Sequence, residues 1–349
     1  MIENLYKKAY ELLPSQVKKL LSLSEYKLAC LPGIYYDRNV HPINGLSRGA
    51  VSISLDFEMA WGWQYARNID PVAKGLQERE QVPLILSKLE VLNFPATWAA
   101  VGHLFLDRCS RGAGGLAHHD MPRVRPFENK AWKFASGDWY QFDPCSSVKH
   151  APAWYASDLI EKILSSRSGQ EIACHGFSHV GFGRYCPKNV ALAELDASIS
   201  AMARFGIKPK TFVFPGNDEG NFEALAETGF LYLRSNQKWY SKISRPFRRM
   251  DDGLWCVPAS TSICRGSRWT HGERLARLKL FVDIAEKTHL AMHVWMHPSM
   301  PLAEIEEILI PFLHYCADKR DRGVIDIFTI EQMVEATKSA LLKSTQSTA

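Results

Sequence analysis

Short apolar runs alternate with longer amphipathic segments along most of the chain. The apolar runs predict strands over residues 50–55, 96–101, 171–174, 211–214, 230–234, 291–296 and 324–328. The amphipathic segments predict helices over residues 78–92, 157–165, 189–205, 221–228, 274–288 and 302–319. Repeated strand-then-helix units are typical of an α/β fold with a parallel sheet. A helix at each crossover favours closure into a (β/α) barrel, which carries its active site at the C-terminal strand ends.

Two segments depart from this rhythm. Residues 1–45 begin with an amphipathic pattern that ends near Pro32-Gly33, and they predict an N-terminal helical extension. Residues 107–155 are rich in Gly, Pro, His and Trp and show little periodicity, while their aromatic content favours a packed lid over disorder. We expect one catalytic domain over residues 46–340, with this lid inserted, and a polar tail over residues 341–349.

Composition narrows the class of protein. The chain has 349 residues, of which 46% are apolar and 23% charged, as expected of a soluble globular protein with a large core. A net charge of +5, mostly dispersed, argues against nucleic-acid binding but is compatible with an anionic substrate such as a nucleotide-linked sugar. Eight cysteines without a CxxC pair indicate reduced thiols. Charged residues interrupt the apolar N-terminus, which resembles neither a signal peptide nor a membrane span, so we expect a cytoplasmic protein.

The strongest candidate chemistry is a pair of histidines, His175 and His179, directly after the apolar run over 171–174. Catalytic metal sites typically hold three protein ligands and leave room for water and substrate. Two imidazoles four residues apart at a strand end can face one metal ion, and one carboxylate would complete the set. Taken alone, such a pair is a weak signal, because short motifs have many incidental matches.

A carboxylate pair, Asp56 and Glu58, follows the first predicted strand. In a continuing strand, residues separated by one position face the same side. Two neighbouring carboxylates ionise together at low cost only if a cation lies between them. A divalent metal would therefore take one as a ligand and leave the other as a base.

Two further candidates lie at strand ends. His297 precedes Pro298, which marks the end of a strand, and an imidazole there is suited to protonating a leaving amine. His293 competes for that role, although a buried hydrogen-bonded position is its simpler interpretation. The turn containing Asn217 can offer a backbone N–H to an oxyanion, or it can simply join a strand to a helix. In a parallel α/β domain all these strand ends lie on one face, which predicts a metal-assisted hydrolase.

These motifs, in order across about residues 48–335, resemble those of the polysaccharide deacetylase (NodB-homology) superfamily, also grouped as carbohydrate esterase family four. The four motifs are similar to Leu55–Glu58, His175–His179, Phe214–Asn217 and Met296-His297. The resemblance implies a distorted (β/α) barrel. It also implies hydrolysis of N-acyl or O-acyl groups on sugars with a divalent metal, usually Zn²⁺.

The resemblance also implies roles for individual residues. Glu58, His175 and His179 would bind the metal, Asp56 would be the base and His297 the acid. The exchange of Asp56 and Glu58 stays open, because the family's adjacent Asp-Asp is Asp-Phe-Glu in this chain. The third motif also lacks the Arg that steadies the base in polymer-acting members, and it has Asn in place of Tyr.

These departures, together with the lid, predict removal of an acetyl or formyl group from a small activated or lipid-linked amino sugar. The expected setting is surface-glycan assembly, such as lipopolysaccharide O-antigen biosynthesis. Asn217, Trp61, Trp139 and Tyr140 are expected to contact the sugar. Three alternatives remain open: a specific sugar N-deformylase, a catalytically silent carbohydrate-binding domain, and a metal-free glycosidase. Nothing in the sequence indicates an oligomeric state.

Overall fold

A computed structural model of the chain describes residues 14, 16, 17, 46–128, 132–236, 243–266 and 268–346. The predicted helical extension over residues 1–45 lies almost entirely outside the described residues and stays a prediction. Within them, the strands are β1 (Gly49–Phe57), β2 (Thr97–Ala100), β3 (Phe127–Glu128), β4 (Lys133–Phe134), β5 (Glu171–Cys174), β6 (Thr211–Val213), β7 (Tyr232–Asn236), β8 (Phe247–Arg248), β9 (Trp255–Ala259), β10 (Thr261–Ser262), β11 (Ala291–Met296) and β12 (Ile325–Phe328).

Strand β1 is the centre of the main sheet, and all nine of its residues are buried. It pairs in parallel with β11 on one side and with both β2 and β12 on the other. Its near-continuous apolar sequence fits this position, because a central parallel strand is covered on both faces. The strand order continues from β1 through β2, β5, β6, β7 and β9 to β8, and only the β8–β9 pair is antiparallel.

The sheet closes through residues 255–262. Strand β9 pairs with β7, and β10, one residue further on, pairs with β11. Between them Ser260 donates its N–H to the carbonyl of His293 at 2.8 Å. The consecutive strands β9 and β10 thereby link β7 on one side of the sheet to β11 on the other. This arrangement confirms the predicted distorted (β/α) barrel. The apolar pattern did not predict β9, because Pro258 interrupts it and proline is rare inside strands.

The helices pack against the strands of the barrel. They are α1 (Pro71–Val91), α2 (Ser157–Leu164), α3 (Lys188–Ala203), α4 (Phe222–Glu227), α5 (His271–Thr288), α6 (Leu302–Glu304), α7 (Ile310–Asp321) and α8 (Ile330–Gln346), with a π-helical turn (Ile305–Leu309) between α6 and α7. Helix α1 begins earlier than predicted because the Asp70 side chain accepts hydrogen bonds from the N–H groups of Val72 and Ala73. Helix α8 extends into the predicted polar tail. None of the helices described is both long and apolar enough to cross a membrane.

The predicted lid is packed where the structure describes it. Strands β3 and β4 form a separate antiparallel pair. Trp132, Phe134, Trp139 and Tyr140 are buried, whereas Phe142 is 49% exposed. The lid therefore contributes its aromatic side chains to the core of the protein and lies against the C-terminal end of the barrel.

Candidate active site

Six of the nine predicted site residues meet at the C-terminal ends of the strands. A cavity of about 390 Å³ opens there, and its walls include Asp56, Glu58, His179, Asn217 and His297. Each follows or ends a strand of the barrel, as parallel α/β architecture requires. His175, the sixth predicted residue, is fully buried directly behind this wall, in contact with Glu58.

The Glu58 carboxylate faces the histidines. Its Oε1 lies 3.0 Å from His175 Nε2, 2.9 Å from His179 Nε2 and 3.6 Å from His297 Nε2. Gly62 makes room for this carboxylate, because a Cβ at that position would lie 1.9 Å from Glu58 Oε2. The backbone N–H of Glu58 donates to Glu78 Oε1 at 2.9 Å, so Glu58 is fixed at both its backbone and its side chain.

The tautomer of His175 follows from its other contact. Its Nδ1 lies 2.7 Å from the carbonyl oxygen of Val213, which can only accept a hydrogen bond. A neutral His175 therefore donates from Nδ1 and presents the Nε2 lone pair to Glu58 Oε1. Two acceptors this close need a cation or a proton between them, and a backbone partner on the far nitrogen is typical of metal-ligating histidines.

The distances and charges of this group fit a divalent metal. One ligand atom from each of Glu58, His175 and His179 lies within 4.8 Å of the others. Tetrahedral zinc would hold such atoms roughly 3.3 Å apart, close to the separations between Glu58 and the two imidazoles. Burial raises the pKa of Glu58, but the neighbouring histidines outweigh it and hold the pKa well below the usual value. Burial lowers the pKa of His179, which favours its neutral, ligating form.

Asp56 is in a different environment, paired with a buried arginine. Arg234 of β7 binds both Asp56 oxygens, with Nη2 2.8 Å from Oδ2 and Nη1 in contact with Oδ1. Arg234 also donates to Ser54 Oγ at 3.1 Å and to Asn217 Oδ1 at 3.2 Å. The third motif does lack an arginine, but the structure supplies one from a strand outside the motifs. Its only signal in the sequence is a charged residue at the end of an apolar run.

Of the two candidate acids, only His297 reaches the cavity. Its ring lies between the indoles of Trp63 and Trp295, with centroid distances of 5.3 and 5.4 Å. Burial lowers the pKa of His297, but the carboxylates of Glu58, Asp56 and Glu78 outweigh burial and raise it to about 9. His293 is fully buried away from the cavity, where the hydroxyls of Ser52 and Ser54 lie 2.7 and 2.9 Å from its two nitrogens.

The structure does not bring Trp61, Trp139 or Tyr140 to the cavity. All three are almost fully buried in the packing beneath the lid. Trp63 and Trp132 line the cavity instead. The sequence did not distinguish these aromatic residues, because the segments that carry them have no periodic pattern to show which side chains face inward.

The loop that carries the two histidines is shaped by Glu194 on α3. This buried carboxylate accepts from the N–H groups of Phe177 and Ser178, each at 2.8 Å, and from Ser178 Oγ at 2.6 Å. The Tyr140 hydroxyl donates to it at 3.0 Å. Tyr140 thus supports the loop that carries His175 and His179. Sequence reasoning missed Glu194, because an acidic residue in the middle of an amphipathic helix is usually solvent-exposed.

No family model matches this chain, and neither does any curated protein. A solved structure from Mycobacterium smegmatis, described as a polysaccharide deacetylase, has a TM-score of 0.57 and 16% identity; the match covers 83% of this chain and 90% of that one. A structure from Pseudomonas aeruginosa PAO1 with the same description has a TM-score of 0.57 and 14% identity over 85% and 93% of the two chains. The PuuE allantoinase has a TM-score of 0.54 and 13% identity over 86% and 92%. These likenesses confirm the fold that the motif resemblance implied.

Proposed function

We propose that this chain is a metal-dependent amide hydrolase of the NodB-homology superfamily that removes an N-acyl group, acetyl or formyl, from an amino sugar. The observation that carries the proposal is the difference in environment between two neighbouring carboxylates. Glu58 faces two buried imidazoles, while Asp56 is held by an arginine at the same cavity. This arrangement supports one metal ligand and one base, with His297 nearby as an acid.

Glu58, His175 and His179 would hold the metal, which we take to be Zn²⁺ because nitrogen and carboxylate ligands suit it. Three protein ligands are the usual number at a catalytic zinc. A bound divalent ion supplies Lewis acidity, which polarises the acyl carbonyl and makes water a stronger nucleophile. Side chains around the cavity carry out the proton transfers.

Asp56 accepts the proton of the attacking water. Its two hydrogen bonds to Arg234 fix the plane of the carboxylate and so orient it toward the cavity. His297, fixed between two indoles and 26% exposed at its side chain, donates a proton to the departing amine.

Asn217 contributes through its side chain. Its backbone N–H already donates to the carbonyl of Phe214 at 3.0 Å, so that group is not available to an oxyanion. Its Oδ1 accepts from Arg234, which leaves the side-chain Nδ2 as the donor that Asn217 offers to the substrate. We therefore assign the proposed substrate contact of Asn217 to its side-chain amide and not to its backbone N–H.

The cavity suits one sugar unit. Its volume of about 390 Å³ is near the lower end of the roughly 300–1,000 Å³ common for small-molecule sites. Trp63 and Trp132 give it aromatic walls, and the guanidinium of Arg67, which also contacts Glu128, offers N–H donors that suit the phosphate of a nucleotide- or lipid-linked sugar. Surface-glycan assembly, such as that of O-antigen, is the setting we propose. The seven described cysteines, all free, support the cytoplasm as its compartment.

The test is a screen of N-acetyl and N-formyl amino sugars, free and nucleotide-linked, for release of the amine by metal-loaded protein. We expect release from at least one substrate and a loss of about 10²–10⁴-fold in kcat for Asp56→Asn, because that variant removes the base but no metal ligand. Both acyl groups belong in the screen, since one methyl group is worth only about 1–3 kcal/mol of discrimination.

Two results would contradict the proposal. Metal-loaded protein that binds sugars and releases no amine from any of them would indicate a silent binding domain. Metal-free protein that cleaves glycosidic bonds would indicate a glycosidase.

A further inference from the structure

A second cluster of metal-binding side chains lies where the lid joins the barrel. His103 is in the turn that follows β2, and Cys109, His118 and Asp143 belong to the lid insertion. One ligand atom from each of the four residues lies within 4.8 Å of the others. None of the four lines the active-site cavity. The cluster is therefore a separate candidate site.

Asp143 is the centre of this cluster. Its Oδ2 lies 2.9 Å from His118 Nε2, 3.3 Å from His103 Nε2 and 3.4 Å from Cys109 Sγ. Its Oδ1 accepts hydrogen bonds from the N–H of Cys145 at 2.8 Å and from the Tyr155 hydroxyl at 3.2 Å. One oxygen is thus fixed by surrounding groups while the other points to the three remaining donors, which is the division expected of a ligating carboxylate.

His103 supplies an independent observation. Its side chain is fully buried, yet neither ring nitrogen makes a hydrogen bond of ordinary distance and angle. The ring is packed between Trp61 and Tyr155, with centroid distances of 4.4 and 4.9 Å. Buried polar groups in folded proteins nearly always have a partner. A cation at the cluster would provide one for Nε2.

The chemistry of the four side chains also indicates which ion the cluster would bind. Two imidazoles, one thiolate and one carboxylate make four ligands, the number typical of closed structural zinc sites. Tetrahedral zinc places nitrogen, oxygen and sulfur donors roughly 3.3–3.6 Å apart, near the observed separations around Asp143 Oδ2. A thiolate favours zinc over magnesium or calcium, which prefer oxygen ligands.

We propose that His103, Cys109, His118 and Asp143 form a structural Zn²⁺ site that fastens the lid to the barrel. Three ligands come from the insertion and one from the barrel, so the ion would hold the lid over the C-terminal strand ends. Trp132, a wall of the active-site cavity, belongs to the same insertion. The site is independent of the proposed catalytic activity.

Cobalt substitution in the full chain tests this proposal, because among the candidate metal clusters of the described residues only this one includes a cysteine. Protein stripped with a chelator and reloaded with Co²⁺ should show a thiolate-to-cobalt charge-transfer band. We expect the band to persist in His175→Ala, which loses the active-site metal, and to disappear in Cys109→Ser. Cys264→Ser is the matched control, since Cys264 is partly buried like Cys109 but belongs to neither candidate metal site. Metal content should fall from about two ions per chain to about one in Cys109→Ser.

Absence of the band in the reloaded wild-type chain, or its persistence in Cys109→Ser, would overturn the proposal. If Cys109→Ser does not fold, alkylation of the wild-type thiols decides the question. Zn²⁺ should protect Cys109 and chelator should expose it, and equal labelling in both states would be contrary to the proposal. A band in protein that hydrolyses no substrate would leave this site standing and count against the catalytic function alone.

Discussion

Asp56 and Glu58 have different partners, although only one residue separates them. Asp56 is paired with the guanidinium of Arg234, whereas Glu58 is surrounded by the imidazoles of His175, His179 and His297. A carboxylate fully engaged by arginine is a poor place for a second cation, whereas one facing the Nε2 lone pair of a neutral His175 needs a cation or a proton between the two acceptors. This difference favours Asp56 as base and Glu58 as ligand over the reverse assignment.

Replacing Arg234 should impair the proposed base and leave the proposed metal site intact. In Arg234→Gln, Asp56 is left buried without its partner, and we expect a loss of about 3–5 kcal/mol in unfolding free energy. We also expect kcat to fall about 10²-fold or more because the base loses its orientation. Metal content should not change, since Glu58, His175 and His179 are untouched. Urea unfolding, kinetics and metal analysis measure the three effects.

The double variant Asp56→Asn, Arg234→Gln is the control for this experiment. It removes both charges, so most of the lost stability should return while activity stays low. Normal turnover in Arg234→Gln would show that Asp56 does not depend on this ion pair.

His293 predicts a pH dependence of stability. Burial, together with the charge of Arg234, holds the pKa of His293 well below its usual value of about 6.5. The folded protein keeps this ring neutral while the unfolded chain binds a proton below about pH 6.5, so stability is full above that pH and falls as the pH drops. The contribution is about 1.4 kcal/mol per pH unit.

Unfolding free energies of the wild type and His293→Gln between about pH 5 and 7 measure this contribution, in the range set by the ordinary histidine pKa. The variant should show the shallower slope, because it has no group to protonate at this position. Equal slopes would mean that His293 does not titrate on unfolding.

At the level of elements, helix α3 holds the loop between His175 and His179 in place. Glu194 accepts from two backbone N–H groups between His175 and His179. The backbone of His179 has a φ of +64° and that of Gly176 a φ of +69°, so the loop adopts a shape that needs external support. Glu194 is thus a positioning residue for both histidines.

Glu194→Ala should weaken metal binding by about 10–100-fold, as expected when a group supporting metal ligands is lost. Glu194→Gln keeps an acceptor of similar size and should weaken it less. Competition with a chromogenic chelator measures both affinities. If both variants bind metal as tightly as the wild type, the loop does not depend on α3.

Local sequence was sufficient to predict the position of some site residues but not of others. Residues that immediately follow a strand, such as Glu58, His175 and His297, could be placed at one edge of the sheet because parallel strands end together. Arg234 and Glu194 could not, because their roles depend on which distant chain segments they contact. Strand β9 escaped prediction for a local reason, the proline within it.

For the whole molecule, closure of the barrel through β9 and β10 determines the site. Closure brings Arg234 on β7 across to Asp56 on β1, two strands that are not hydrogen-bonded neighbours. The order of motifs along the chain predicted this fold correctly, since each motif ends a different strand. The aromatic walls of the cavity could not be predicted, because Trp63 and Trp132 have no periodic pattern to distinguish them from Trp61 and Trp139.

The most direct test of the central claim is the rate of amine release as a divalent metal is returned to chelator-stripped protein. If Glu58, His175 and His179 hold the catalytic ion, the stripped enzyme should be inactive, the wild type should recover on addition of Zn²⁺, and Glu58→Gln should recover little at the same concentration. Full activity in stripped protein, or equal recovery in Glu58→Gln, would contradict the account.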